Sequence, residues 1–141
     1  MEWYSETIDK VSEEENNIVK SFVFMHIPFR KFADAQTALE AGEGDAVYLF
    51  GGNGEKISHP ERNSGFFDLI LKKSSTEAVF VGHDHLNNMG IKYKGVDLVF
   101  SKSIDYIAYP GISQITEQRG ATLITILQDG SYRLEQVDYK R

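Results

Sequence analysis

Apolar residues in this chain gather in short runs between polar and glycine-containing stretches, and their spacing predicts alternating strands and helices. Lys20 to Ile27 (KSFVFMHI) is rich in β-branched and aromatic residues and is stopped by Pro28. It reads as a buried strand ending at His26. Phe32 to Ala41 is rich in helix formers and closes at Gly42, which predicts a helix over about 31 to 41. Gly44 to Ser58, carrying Gly51, Gly52 and Gly54, reads as a loop, and it lacks the GK[ST] ending of a phosphate-cradling P-loop. Asn63 or Ser64 can cap a further helix running to about Lys73. Its apolar residues Phe66, Phe67, Ile70 and Leu71 share one face, and Lys72 and Lys73 meet the negative end of the helix dipole.

Ala78 to Gly82 is a continuous apolar run too short for a helix, and it leads directly into His83-Asp84-His85. A buried parallel strand followed by a polar loop accounts for it. Val96 to Phe100, Ala121 to Leu127 and Tyr132 to Val137 read as further strands, the last two joined by Asp129-Gly130, which favours a tight two-residue hairpin turn. The opening stretch, Met1 to Asn17, is polar and reads as a helix tail followed by a solvated link, so residues 1–19 are expected to be a lead-in and linker. The order of elements points to an α/β fold. The strands before His26 and His83 belong to one sheet, the late hairpin to a second, and the helices cover an outer face.

With 141 residues and 41% hydrophobic content, the chain suits one domain or a piece of one. Fifteen basic against 21 acidic residues leave a net charge of −6 with no Lys/Arg block, which argues against nucleic acid as a partner. The chain has no cysteine, so any metal chemistry must use His, Asp, Asn or Glu. Apolar runs fall far short of the roughly 20 residues of a spanning helix, so no membrane association is expected. The N-terminus lacks the regions of a signal peptide, and the cytoplasm is the default expectation unless such a peptide lies upstream.

The most informative segment is Gly82-His83-Asp84-His85. Two histidines at i and i+2 beyond a strand can project toward one point, and neutral imidazole ligates Zn, Fe or Mn. Gly82 is expected to let the backbone turn there. His26 ends another predicted strand, and in an open parallel sheet ligands gather at the C-terminal strand ends. A lone histidine at such a place is more often structural, and Asp84 reads equally as a plain loop carboxylate. His59, beside Pro60 in a polar loop, reads as surface.

At these residues the chain resembles the calcineurin-like phosphoesterases, which place one metal-binding histidine after one strand and a G-H-x-H block after the next. Phe24-Met25-His26-Ile27-Pro28 and Val81-Gly82-His83-Asp84-His85 match that pattern. The purple-acid-phosphatase-like branch extends the likeness to His26-Ile27-Pro28, to Asn63-Ser64-Gly65-Phe66-Phe67, to a G-H-D-H-x-N block ending at Asn87, to Arg119-Gly120-Ala121 and to Glu2-Trp3. The chain departs from the pattern at Ser101-Lys102, where a Tyr-Gly is usual. The resemblance implies that residues 1–141 form the C-terminal half of a four-layer α/β/β/α metallophosphoesterase sandwich. It implies that His26 and His83 would ligate one metal and His85 the other, with Asp84 and Asn87 near the rim of a phosphoester substrate site. Arg30, Lys31 and Lys102 are candidates for phosphate contacts, although each also reads as a solvated surface charge.

Complete members carry two cations (Fe, Mn or Zn) that lower the pKa of a bridging water and stabilise the in-line displacement. They need three upstream blocks. None occurs here: Asp-x-His is missing, Gly44-Asp45-Ala46-Val47-Tyr48 lacks the second carboxylate, and Gly52-Asn53-Gly54 lacks the histidine. No catalytic residue is therefore assigned in this part. At most one cation is expected to bind, because two would repel without an anionic bridge. The expected partner is a missing N-terminal half, with activity in the joined protein alone. A chain cut from such a sandwich is also expected to form homo-oligomers through exposed sheet edges. The alternatives are a non-catalytic metal-binding or regulatory domain and a structural domain whose histidines bind nothing.

Overall fold

A computed structural model describes residues 1–114 and 118–139. Its elements are helix α1 (Glu2–Glu14), strand β1 (Ser21–Phe24), α2 (Lys31–Glu40), β2 (Ala46–Phe50), α3 (Phe66–Lys73), β3 (Thr76–Val81), β4 (Gly90–Tyr93), β5 (Val96–Phe100), a short 3₁₀ turn (Ile112–Gln114), β6 (Gly120–Ile126) and β7 (Tyr132–Asp138). Five strands make one mixed sheet in the order β1-β3-β5-β4-β2, and β6 and β7 form a separate hairpin. The architecture is α/β as expected, and it is consistent with one half of a metallophosphoesterase sandwich.

The centre of the sheet follows from the continuous apolar runs. β3 pairs in parallel with β1 on one side and with β5 on the other, and every residue of β5 is buried. Alternation then divides the side chains between two faces. Val79, Val81, Val96, Leu98 and Phe100 meet the helices through Phe32, Ala35, Phe67 and Ile70. Ala78, Phe80 and Val99 face the other way, where Ile124, Tyr132 and Leu134 of the hairpin pack with Phe22 and Phe50. Deleting a side chain as enclosed as Ile70 would remove about 2–5 kcal/mol.

Several elements differ from the sequence expectation. The segment read as a loop from Gly44 to Ser58 contains β2, an edge strand antiparallel to β4. Pattern alone misses it because Val47 and Tyr48 are both exposed, which blurs the alternation. β4 follows β2 into the sheet and returns through Lys94 and Gly95, both at positive φ, in the geometry of a two-residue hairpin. β1 is four residues long and forms the opposite edge, half-covered, and it ends at Phe24, two residues before His26. The late hairpin closes through a three-residue loop. Leu127 N–H donates to Ser131 O and Gly130, at φ +77°, takes the left-handed position after a turn closed by its N–H on Leu127 O.

The opening segment is a full helix followed by a link. α1 docks by Tyr4, whose hydroxyl shares a 2.7 Å hydrogen bond with Thr76 Oγ1, and by an ion pair from Lys73 to Asp9. Ahead of α3, the side chains of Asn63 and Ser64 accept from the N–H groups of Gly65 and Phe66, so both candidate caps are used just outside the helix.

Candidate metal-ligand cleft

The parallel register of β1 and β3 aligns Phe24 with Phe80, which places Met25 and His26 beside Val81 and Gly82. Met25 N–H donates to Phe80 O and Gly82 N–H to His26 O, extending the ladder to the first histidine. The ring of His26 lies 5.2 Å from that of His83, centre to centre, at 78°. His85 lines the same cleft, of about 430 Å³, together with Phe24, Phe80, Ser101 and Lys102. Phe24 stacks on Phe80 beneath the histidines.

The turn that aims His83 is made by the histidine itself. Asp84 N–H donates to Gly82 O at 2.8 Å, an i→i+2 closure around His83, which sits at φ +69°. This positive-φ γ-turn is the rare and strained form, and such strain concentrates at functional positions. Gly82 serves the site differently from the expectation. A β-carbon there would stand 3.8 Å from His26 Nδ1, an ordinary contact distance, so the His26 ring packs directly beside the chain at Gly82.

Asp84 and Asn87 brace the loop from inside. Asp84 is 5% exposed and accepts from Ser58 N–H at 3.0 Å, while Asn87 is 1% exposed and accepts from Glu55 N–H at 3.1 Å. Asn87 also bridges to Asn53, which stitches the His83–Asn87 loop to the segment after β2. Asp84 borders the cleft with its Oδ2 held by backbone, whereas Asn87 is buried and does not line it.

The candidate phosphate contacts are also engaged elsewhere. Arg30 and Lys31 share Asp34 at 3.7 and 2.8 Å on α2 and do not line the cleft, and the Asp34 hydrogen bond pushes the Lys31 ammonium pKa up. Lys102 lines the cleft wall, with its ammonium paired to Asp138 of β7. His59 stands apart, its Nδ1 2.9 Å from Pro60 O on the surface.

One feature of the cleft escaped sequence reading. His85 Nδ1 lies 2.9 Å from Asp105 Oδ2 in the segment after β5, and the ring tilts toward Tyr109 at 6.1 Å. Hydrogen bonds from backbone N–H groups, that of Ile107 foremost, hold the Asp105 carboxyl down to about 2. Burial pushes the Tyr109 phenol up, with the Glu55 carboxylate adding to it. The available signal was β5 itself: a strand parallel to β3 must end at the same edge of the sheet, but its direction is not legible from an apolar run.

Among the described residues, no three His, Asp or Glu side chains are grouped closely enough to hold a metal ion. The pair fits better. Two imidazoles sharing one cation at about 2.0–2.1 Å from each nitrogen and near the tetrahedral angle have ring centres roughly 5 Å apart, and His26 and His83 have that spacing. Imidazole nitrogen suits Zn, Fe and Mn in chemical type, and among the described residues no third His, Asp or Glu side chain is grouped with the pair to fill a further coordination position.

Comparison with known proteins places the chain near one group. "Probable inactive purple acid phosphatase 14" of Arabidopsis thaliana is 27% identical over 114 residues, covering 76% of this chain and 26% of that protein. "Probable inactive purple acid phosphatase 29" of the same species is 28% identical over 116 residues, covering 76% and 27%. The chain spans about a quarter of the length of these curated relatives. No family model matches it, and no solved structure does.

Proposed function

We propose, from this distant relationship to purple-acid-phosphatase-like proteins, that the chain is the part of a metal-dependent phosphoester hydrolase that carries histidine ligands but not the catalytic carboxylates. The observation that supports it most is the facing pair His26 and His83 beyond two adjacent parallel strands, with His85 in the same cleft. In this reading His26 and His83 hold one cation, and His85 offers a ligand to a second that requires donors from a separate segment or chain. A bound cation would supply Lewis-acid polarisation of a phosphoryl oxygen and an acidified water. This chain's own contribution is to fix the imidazoles: the β1–β3 ladder sets His26, the γ-turn sets His83, and the buried Asp84 and Asn87 hold the loop between them.

A second reading, a non-catalytic metal-binding or regulatory domain, is favoured by the names of both relatives, which describe them as probable inactive phosphatases. The hydrolase reading and the metal-binding form of the second both require the histidine pair to bind metal. Zinc titration by calorimetry is expected to show one site in the full chain, abolished in His26→Ala and in His83→Ala and retained in His59→Ala. Equal binding by all four proteins would remove the metal-ligand assignment.

A further inference from the structure

His85 meets a carboxylate whose own surroundings leave it only one role. Asp105 Oδ1 accepts from Ile107 N–H at 3.0 Å, Oδ2 accepts from Ala108 N–H at 2.9 Å, and the Asp105 N–H donates to Ser103 Oγ at 3.1 Å. Each Asp105 oxygen already accepts from a backbone N–H and so stands as an acceptor, which makes the ring nitrogen 2.9 Å from Oδ2 the donor of that contact. We propose that Asp105 is a positioning residue that fixes His85 as its Nδ1–H tautomer and leaves Nε2 as the lone-pair donor of this imidazole in the cleft.

The segment bearing Asp105 is braced at both ends, so the orientation is imposed by structure. The Arg119 guanidinium lies 4.1 Å over the Tyr106 ring and donates to Ile112 O at 2.9 Å. On the other side, Tyr109 donates to Glu55 Oε1 at 3.3 Å, and the same oxygen accepts from Leu86 N–H, next to His85. Asp105 and His85 are thus held by one connected set of contacts. Carboxylate–imidazole pairing of this kind sets which nitrogen a histidine can offer as a ligand or base.

What Nε2 would bind rests on the metal reading above; the tautomer does not. The test is a two-bond ¹H–¹⁵N correlation spectrum of the uniformly labelled full chain without added metal, at a pH where imidazole is neutral. Wild type is expected to show His85 protonated at Nδ1 and bare at Nε2. Asp105→Asn, whose amide oxygen can still accept from the turn, is expected to move His85 toward the Nε2–H form, with the Ile107 and Ala108 amide signals reporting whether the turn survives. An Nε2–H tautomer in wild type would overturn the proposal, as would the same tautomer in both proteins. Adding zinc then separates the two ideas. If His85 takes part in binding, affinity for that ion falls about 10–100-fold in Asp105→Asn. If zinc moves none of the His26, His83 or His85 signals, the metal reading fails and the tautomer result alone decides Asp105.

Discussion

The phenol of Tyr132, on the late hairpin, donates a 2.5 Å hydrogen bond to Oδ2 of Asp97, a buried carboxylate in the middle of β5. Lys92 approaches the other oxygen at 2.9 Å. A charged residue at the centre of an otherwise apolar strand is thereby paired with a cation and one hydroxyl donor, while its Oδ1 has no hydrogen bond of good geometry, and the hairpin is tied to this face of the sheet. Burial, reinforced by the Asp97 hydrogen bond, pushes the Tyr132 phenol well above its ordinary value.

Tyr132→Phe is expected to lower stability by about 1.5–3 kcal/mol, the range for a hydrogen bond to a charged group. The pH dependence has a definite sign. The folded pKa is raised, so this contribution is fully present below the unfolded value near 10 and declines as pH rises toward the folded one. Urea unfolding of wild type and variant at neutral pH and just above pH 10 checks it, and the gap between the two midpoints should narrow at the higher pH. An unchanged gap would show that the phenol is not tied to Asp97 in solution.

His83→Gly is expected to separate stability from ligand binding. Holding a side chain at positive φ costs roughly 1–3 kcal/mol, and glycine's extra unfolded-state entropy costs about 0.5–1 kcal/mol. His83 is exposed, so little packing is lost. Thermal unfolding should place His83→Gly at or above wild type and above His83→Ala, while both variants lose zinc binding. A glycine variant markedly less stable than the alanine variant would remove the strain assignment.

Hydrolysis of a generic aryl phosphate by the isolated chain should not be stimulated by Zn, Mn or Fe. Asp84, which lines the cleft, holds Ser58 N–H through Oδ2, Asp105 holds two backbone N–H groups, and among the described residues no three His, Asp or Glu side chains are grouped to hold a metal ion. A robust metal-dependent rate that disappears in His83→Ala would mean that the chain assembles a working site by other means.

Among the described residues no strand lies beside the outer edge of β1, and Trp3 and Phe24, 76% and 66% exposed, flank an apolar groove between α1 and β1. Each large apolar side chain left in water forgoes about 1.5–3 kcal/mol of burial, and an unpaired edge invites strand addition. Sedimentation velocity over a range of concentrations is expected to show self-association, weakened in a Trp3→Glu, Phe24→Glu double variant. A monomer at every concentration would refute it.

The apolar runs before His26 and His83, the apolar face of α3 and the late pair of strands were all legible along the chain, because burial on both faces or on one stripe writes itself into local pattern. The histidines were legible too, since the ends of those runs position them. Three things required the folded molecule. β2 became a strand through its pairing with β4, which no alternation of its own residues announced. The turn at the site fell on His83 and not on Gly82, because the backbone there closes on Asp84 N–H. Asp105 reached His85 across 20 positions of sequence because β5 runs parallel to β3 and ends at the same edge. Local pattern reports what a segment must bury, whereas strand direction and register depend on partners distant in sequence, and those decide which side chains meet.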